Sequence, residues 1–235
     1  MTGRPGQGGE DPGRLAARPG PVRDQPEQTP AQRGLRSLEF GKKRDGLLYV
    51  PDTRPTRPMP LIVMLHGAGG NAQHGLAPLL SHADTHGLLL LAPEARSSTW
   101  DVIRGGYGPD VAFIDQALAF VFERYPVDPE RVVLEGFSDG ASYALSLGLG
   151  NGDLFTHLMA FSPGFMAPAR QVGAPRIFIS HGEYDRVLPI DRCSRVIVPQ
   201  LRRAGYDVEY LEFAGPHTVP EEIVEAALAW LEGGE

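Results

Sequence analysis

Short apolar runs alternate with longer amphipathic segments along most of this chain. Each apolar run ends in glycine, proline or polar residues, as buried parallel strands do where they lead into loops. The runs are LIVMLHG (61–67), LLLLAPEA (88–95), VVLEGFS (132–138), HLMAFSPG (157–164), RIFISHG (176–182) and VEYLEFAG (208–215). This pattern predicts a mostly parallel, twisted sheet.

The segments between these runs have the spacing of amphipathic helices. Residues 110–126 (DVAFIDQALAFVFERYP) are the clearest case, with apolar side chains on one face, acidic residues at the start and Pro126 at the end. Further helices are predicted over residues 75–86, 139–150, 194–204 and 221–231. Strands that alternate with helices predict an α/β fold, a three-layer αβα sandwich.

The N-terminal part of the chain has a different amino-acid composition. Residues 1–34 are rich in Gly, Pro, Arg, Gln and Asp and have almost no large apolar side chains, so we expect them to be a disordered tail. The remainder, 35–235, has the length of a single domain. Within it, LRSLEF (35–40) and GLLYV (46–50) predict a hairpin of two outer strands.

Charge and cysteine content limit the choice of partners. Residues 1–44 have nine Lys and Arg against five Asp and Glu, a net charge of +4, whereas the rest has thirteen against twenty-four, a net charge of −11. An acidic body argues against nucleic acid as the main partner. The weakly basic tail is interpreted as a solvated extension rather than a partner-binding arm.

The single cysteine, Cys193, cannot form an internal disulfide or a cysteine metal site, which suits a reducing cytosol. No stretch approaches the roughly 20 apolar residues of a membrane helix, and the N-terminus lacks the apolar core of a signal peptide. We therefore expect a cytoplasmic protein without a membrane span. The oligomeric state stays open between a monomer and a homodimer.

The stretch GFSDG (136–140) places Ser138 at an abrupt join between a strand and a helix. Glycines on either side of a serine let the two backbones approach closely and expose the hydroxyl, as in a nucleophile elbow. The N-terminus of the following helix favours negative charge that develops beside the serine.

A serine nucleophile needs a base, and the base needs an orienting carboxylate. Asp185 follows the run 176–182, and His217 follows the run 208–215, so both lie just beyond the carboxyl ends of predicted strands. Taken singly, Asp185 could be a turn residue and His217 a capping histidine. Together with Ser138 they have the order Ser, Asp, His of a catalytic triad. Three other acids could serve in place of Asp185, but they lie within helical segments: Asp84, Asp110 and Asp115.

The glycine-rich LHGAGGN (65–71) follows the first buried strand. We predict an oxyanion hole from the backbone N–H groups of Ala68 and Asp139. The same loop lacks the Lys and Ser/Thr of a Walker motif and the spacing of a dinucleotide-binding loop. His66 and His181 precede glycine at strand ends and are interpreted as loop braces, and the remaining histidines show no metal-like cluster.

These motifs, with SHGEYDRVLP (180–189) and GPHTVP (215–220), resemble the serine esterases of the α/β-hydrolase superfamily, within it the phospholipase/carboxylesterase and polyhydroxybutyrate-depolymerase-like group. The resemblance covers about residues 45–232; residues 1–34 match nothing in it. It implies an α/β-hydrolase fold without a large lid domain. It also implies activity on esters or thioesters of short to medium acyl chains.

Two loops are candidates for an apolar acyl pocket, residues 95–109 and 162–168. The candidate substrate-binding residues are Trp100, Tyr107, Phe165, Met166 and Leu188. A second interpretation, that Trp100 and Phe165 only cover the core, stays open at this point.

We therefore expect 35–235 to be a catalytic domain that hydrolyses small carboxylic esters with Ser138, His217 and Asp185, without a cofactor or a metal. An acyl thioesterase or a serine peptidase would use the same triad. A non-catalytic ligand-binding protein on this scaffold is the alternative from another class; its usual mark is a missing triad member, and none is missing.

Overall fold

A central sheet organises the part of the chain that the computed structural model describes, which is residues 12–20, 33–41, 43–52 and 57–233. Its strands are β1 (Gly34–Ser37), β2 (Gly46–Val50), β3 (Met59–Leu65), β4 (Leu89–Pro93), β5 (Val127–Phe137), β6 (His157–Phe161), β7 (Arg176–Gly182) and β8 (Val208–Phe213). They form one eight-stranded sheet in the order β1-β2-β4-β3-β5-β6-β7-β8.

The sheet is parallel from β4 through β8, and the β1–β2 hairpin adds to β4 as an antiparallel edge. Strands β3, β4 and β6 are buried along their whole length, because helices cover both faces of the sheet. The predicted fold class, a three-layer sandwich around a mostly parallel sheet, is confirmed.

Helices pack on both faces of the sheet. They are α1 (Ala72–Leu76), α2 (Ala83–His86), α3 (Pro109–Arg124), α4 (Asp139–Leu149), α5 (Ser194–Arg203) and α6 (Glu221–Glu232). One apolar cluster joins α3, α4 and α5 to the sheet, and a second joins α1, α2 and α6 to the opposite face. Cys193, the single cysteine, is buried at the start of α5. Within the described ranges, no helix is long and apolar enough to cross a bilayer.

The segment 75–86 is not the single helix that its pattern predicts. Helix α1 ends at Leu76, a 3₁₀ turn covers Leu80–His82, and α2 follows. Pro78 explains the break, because it has no N–H for a helical hydrogen bond and its ring disfavours a continuous helix.

Residues 12–20 differ from the disorder predicted for 1–34, because they lie against the body of the protein. Leu15 is 2% exposed, and its N–H donates to Oδ1 of Asn151 at 2.9 Å. The Asn151 amide donates in turn to the carbonyl of Gly13, and Arg14 pairs with Asp153. A composition average over 34 residues misses one leucine whose partners lie far along the chain. At the end of the predicted tail, Gly34 is already the first residue of β1. Residues 1–11 and 21–32 lie outside the described residues.

Candidate active site

Three loops at the carboxyl edge of the sheet bring together the side chains predicted to form a triad. Ser138 directly follows β5, Asp185 lies in the loop after β7, and His217 lies in the loop after β8. Nε2 of His217 is 2.9 Å from Oγ of Ser138, and Nδ1 of His217 is 2.5 Å from Oδ2 of Asp185. The arrangement can move a proton from the serine hydroxyl to an imidazole that a carboxylate holds in place.

The backbone at Ser138 is strained in the manner of a nucleophile elbow, with φ 59° and ψ −119°. Such a conformation costs about 1–3 kcal/mol in a non-glycine residue and persists only where its surroundings hold it. The N–H of Ser138 donates to the carbonyl of Phe161 on β6, at 2.9 Å, which anchors the turn to the sheet.

Close backbone contacts explain the two glycines of the GFSDG stretch. A Cβ on Gly136 would lie 2.2 Å from the carbonyl carbon of Gly140, and one on Gly140 would lie 2.0 Å from the carbonyl oxygen of Leu65. Any side chain at either position would therefore push α4 away from β5 or β3. The glycines let the helix begin directly behind the serine.

Asp185 is 6% exposed, and all of its carboxylate is engaged. Oδ1 accepts the N–H groups of Val187 and Leu188, each at 2.8 Å, while Oδ2 faces His217. Burial acts to raise the pKa of Asp185, but the two N–H donors and the contact with His217 outweigh it, so the pKa lies below its ordinary value. The carboxylate is therefore ionised near neutral pH and can stabilise an imidazolium.

A second histidine supports the loop after β7 that carries Asp185, called the acid loop below. His181 is fully buried; its Nδ1 is 2.7 Å from Oγ of Ser194, and its Nε2 is 2.8 Å from the carbonyl of Leu188. Burial lowers its pKa, which keeps the ring neutral beside Asp185. His181 thus fixes the loop that carries Asp185.

The predicted oxyanion donors belong to two segments that each follow a strand of the sheet. Ala68 is exposed in the turn after β3, and Asp139 is the first residue of α4. Neither N–H has an acceptor among the residues that the structure describes. The Asp139 carboxylate accepts the hydroxyl of Thr99 at 2.6 Å, which ties the 95–109 loop to the start of α4. The role of the Ala68 and Asp139 N–H groups as oxyanion donors stays a prediction.

His66 braces the neighbouring loop. Its Nε2 accepts the N–H of Ala95 at 3.1 Å, so the proton lies on Nδ1, which donates to the carbonyl of Gly67 at 2.7 Å. Burial lowers its pKa and favours this neutral tautomer.

The candidate pocket residues differ in exposure and in the groups that they contact. Trp100 is fully buried, stacks on Tyr143 and donates to the carbonyl of His66, so of the two interpretations its position matches core cover. Tyr107 donates to the carbonyl of Ala167. Met166 packs against the core, Leu188 is half-buried beside Gly164, and Phe165 is 36% exposed.

The acids set aside as triad members each hold a piece of backbone. Asp110 accepts the N–H groups of Arg96 and Asp101 across the 95–109 loop. Asp84 accepts the N–H of Asp52 and the hydroxyl of Tyr49, and Asp115 accepts two N–H groups from residues 16 and 17. No group of three or more potential metal-binding side chains occurs within the described ranges.

A cavity of about 360 Å³ adjoins His217 between the sheet and helices α1 and α6. None of the predicted substrate-binding residues lines it. Its walls include Gly67, His74, Ser81, Glu135, Phe137, Thr218 and Glu221. A signal for Glu135 exists in the sequence, because it is the one acid inside the buried run 132–138.

Parts of the chain are similar in sequence to proteins named as esterases. No protein-family model matches it. An acetylxylan esterase from Coprinopsis cinerea is 32% identical over 143 residues, which cover 54% of this chain and 38% of the relative. A putative esterase, NocK, from Nocardia uniformis subsp. tsuyamanensis is 28% identical over 167 residues, which cover 66% of this chain and 48% of NocK. The aligned regions thus span less than half of either relative.

The fold has close counterparts among solved structures. The crystal structure of esterase PE8 matches with a TM-score of 0.66 and 24% identity, over 79% of this chain and 96% of that one. Similarity at this level of identity concerns architecture. Together with the sheet order and the strand-to-helix turn at Ser138, it shows that the chain has the α/β-hydrolase fold.

Proposed function

We propose that this protein is a serine carboxylesterase that hydrolyses short- to medium-chain carboxylic esters. The observation that carries the proposal is the continuous hydrogen-bonded path from Ser138 through His217 to Asp185. The curated relatives named as esterases favour the ester-hydrolase reading over a thioesterase or a peptidase.

Each residue has a step in the proposed reaction. His217 removes the hydroxyl proton of Ser138 while Oγ of Ser138 attacks the ester carbonyl. The N–H groups of Ala68 and Asp139 then donate to the oxyanion that forms. His217 then protonates the leaving alcohol, and an acyl-enzyme forms on Ser138. Water, activated by the same imidazole, releases the acid and restores the serine. Asp185 stabilises the imidazolium in both steps.

We further propose that the partner is a small ester rather than nucleic acid, and that the protein acts in the cytoplasm. The acidic body and the single, buried Cys193 support this. Cell fractionation with an antibody would test the location; recovery outside the cells would contradict it.

The function is tested with p-nitrophenyl acetate and butyrate. Ser138→Ala should abolish nearly all turnover and labelling by a fluorophosphonate, while the circular dichroism spectrum stays unchanged. Ser37→Ala, at an exposed position on β1, is the matched control and should retain both. Turnover that survives in Ser138→Ala would refute the assignment.

A further inference from the structure

Oδ2 of Asp185, the oxygen that faces His217, has a second ring nitrogen beside it. Nε2 of His181 lies 3.2 Å from this oxygen, and the side chains of His181 and Asp185 are both fully buried. The acid loop is already held without this contact, by the bond from Nε2 to the carbonyl of Leu188 and by the two N–H groups on Oδ1 of Asp185. One carboxylate oxygen thus lies between two imidazole rings, of which the triad uses one.

The surroundings of the His181 ring show which of its nitrogens carries the proton. Nε2 faces two acceptors, the carbonyl of Leu188 at 2.8 Å and the ionised carboxylate of Asp185. Nδ1 is 2.7 Å from the hydroxyl of Ser194, a fully buried group that can donate. Burial lowers the pKa of His181 and keeps the ring neutral, so it carries a single proton. That proton lies on Nε2, and Ser194 donates to Nδ1.

Two further ionisable groups act on this pair from neighbouring elements. Glu212 on β8 interacts with His181, and Cys193 at the start of α5 interacts with Asp185. The charge of Glu212 is compensated by Arg195, which forms an ion pair with it at 2.5 Å. Burial raises the pKa of Cys193, so its thiol is uncharged near neutral pH. Among the described residues, the two histidines are therefore the ionisable groups in contact with Oδ2.

The attraction between Oδ2 and a protonated His217 grows with the negative charge on that oxygen, and a nearby N–H dipole offsets part of this charge. We propose that His181 is a positioning residue of the triad, whose Nε2–H shares Oδ2 of Asp185 with His217 and so weakens His217 as a base. His217 then stays unprotonated, and able to accept the Ser138 proton, in more acidic solution. This inference rests on the proposed esterase function.

The test measures kcat/KM for p-nitrophenyl acetate from about pH 5 to about pH 9, because the acid limb of this profile reports protonation of the base in the free enzyme. In His181→Leu, which has no N–H to offer, the midpoint of this limb should move about 0.5 pH unit or more to higher pH. In His181→Gln, whose amide can donate in place of Nε2–H, it should stay within about 0.2 pH unit of the wild type. His86→Leu, at a histidine of α2 paired with Glu232, is the matched control and should keep the wild-type profile.

A midpoint that is unchanged in His181→Leu would overturn the proposal even if the rate falls, because a brace of the acid loop alone lowers activity alike at every pH. An equal shift in His181→Gln would also overturn it. A second measurement needs no variant. Nuclear magnetic resonance of the wild type, labelled with nitrogen-15 in its histidine rings, should show His181 neutral with its proton on Nε2 near neutral pH. A proton on Nδ1 instead would contradict the proposal.

Labelling by a fluorophosphonate separates this inference from the esterase function, because it requires Ser138 and its base but no ester. The rate of labelling, followed over the same pH range, should show the same shift between the wild type and His181→Leu. Identical pH profiles of labelling in the two proteins would overturn the inference. The expected shift in labelling without any ester turnover in the wild type would contradict only the proposed function.

Discussion

Oδ2 of Asp185 lies 2.5 Å from Nδ1 of His217, while Oδ1 of the same carboxylate accepts two backbone N–H groups of its own loop. Oδ2 therefore orients the imidazole, and Oδ1 fixes the turn that carries the carboxylate. Loss of the negative charge affects the first role more than the second, because a neutral amide still has an oxygen that can accept the backbone donors.

Asp185→Asn should therefore reduce kcat for p-nitrophenyl acetate roughly a thousandfold to ten-thousandfold while the protein stays folded. The side-chain amide would donate to Nδ1 of His217 and so favour the tautomer that cannot accept the Ser138 proton. Steady-state kinetics and a thermal melt check both parts. Asp191→Asn, at an exposed carboxylate paired with Arg195, is the matched control and should keep the wild-type rate. A loss of less than tenfold in Asp185→Asn would contradict the role assigned to Asp185.

Gly140→Ala tests the close approach of α4 to β3. The new Cβ would lie 2.0 Å from the Leu65 carbonyl oxygen, a backbone atom that cannot move aside without shifting β3. We expect a decrease of about 3 kcal/mol or more in the free energy of unfolding, measured by urea denaturation. Gly20→Ala, where nothing lies within 4 Å of the added Cβ, should change it by less than about 0.5 kcal/mol. Similar stabilities for the two variants would show that the turn is looser than this geometry.

His157 gives the folded protein a defined response to acid. It is 8% exposed, and burial, reinforced by Arg176 and Arg131, lowers its pKa from 6.5 to about 4. Below pH 6.5 the unfolded chain takes up a proton that the folded protein does not. The free energy of unfolding should therefore fall as the pH drops from 6.5 to about 4, by up to about 3 kcal/mol from this residue.

His157→Gln should remove this part of the pH dependence, as measured by urea denaturation at half-unit pH steps. The same substitution at His74, which is exposed, should leave the slope as it is in the wild type. An unchanged slope in His157→Gln would mean that other groups cause the acid sensitivity.

The docked segment 12–20 should detach when its apolar anchor is shortened. Leu15→Ala removes a side chain that is 2% exposed, and such truncations cost about 2–5 kcal/mol in packed cores. Hydrogen exchange should then accelerate at the amides of Ala16 and Ala17, which donate to Asp115. Val196→Ala, which shortens a 45% exposed side chain on α5, should leave these amides protected. Equal protection in the Leu15→Ala protein would show that the leucine does not hold the segment.

Sequence patterns predict the fold well here because parallel strands buried on both faces are continuous apolar runs. The same logic locates Ser138, Asp185 and His217, since the carboxyl ends of such strands meet at one edge of the sheet. Aromatic residues on loops carry less information. Trp100 follows a polar stretch in a glycine-rich loop, yet stacking on Tyr143 draws it into the core.

Features that depend on distant partners escape a reading along the chain. The docking of Leu15 depends on Asn151, and no local pattern connects the two. Glu135 leaves a trace in the sequence, an acid within an apolar run, but only the structure shows that this residue belongs to the wall of a cavity next to His217 and that its carboxyl oxygens are buried.

The reactivity of the buried Cys193 thiol reports local opening of the folded protein. Its thiol is 5% exposed, it directly precedes Ser194, whose hydroxyl contacts His181, and burial raises its pKa. A maleimide or disulfide reagent can react only when this corner of the molecule opens and the thiolate forms. The rate of thiol modification would therefore measure how often the region next to the acid loop opens, and no engineered substitution is needed.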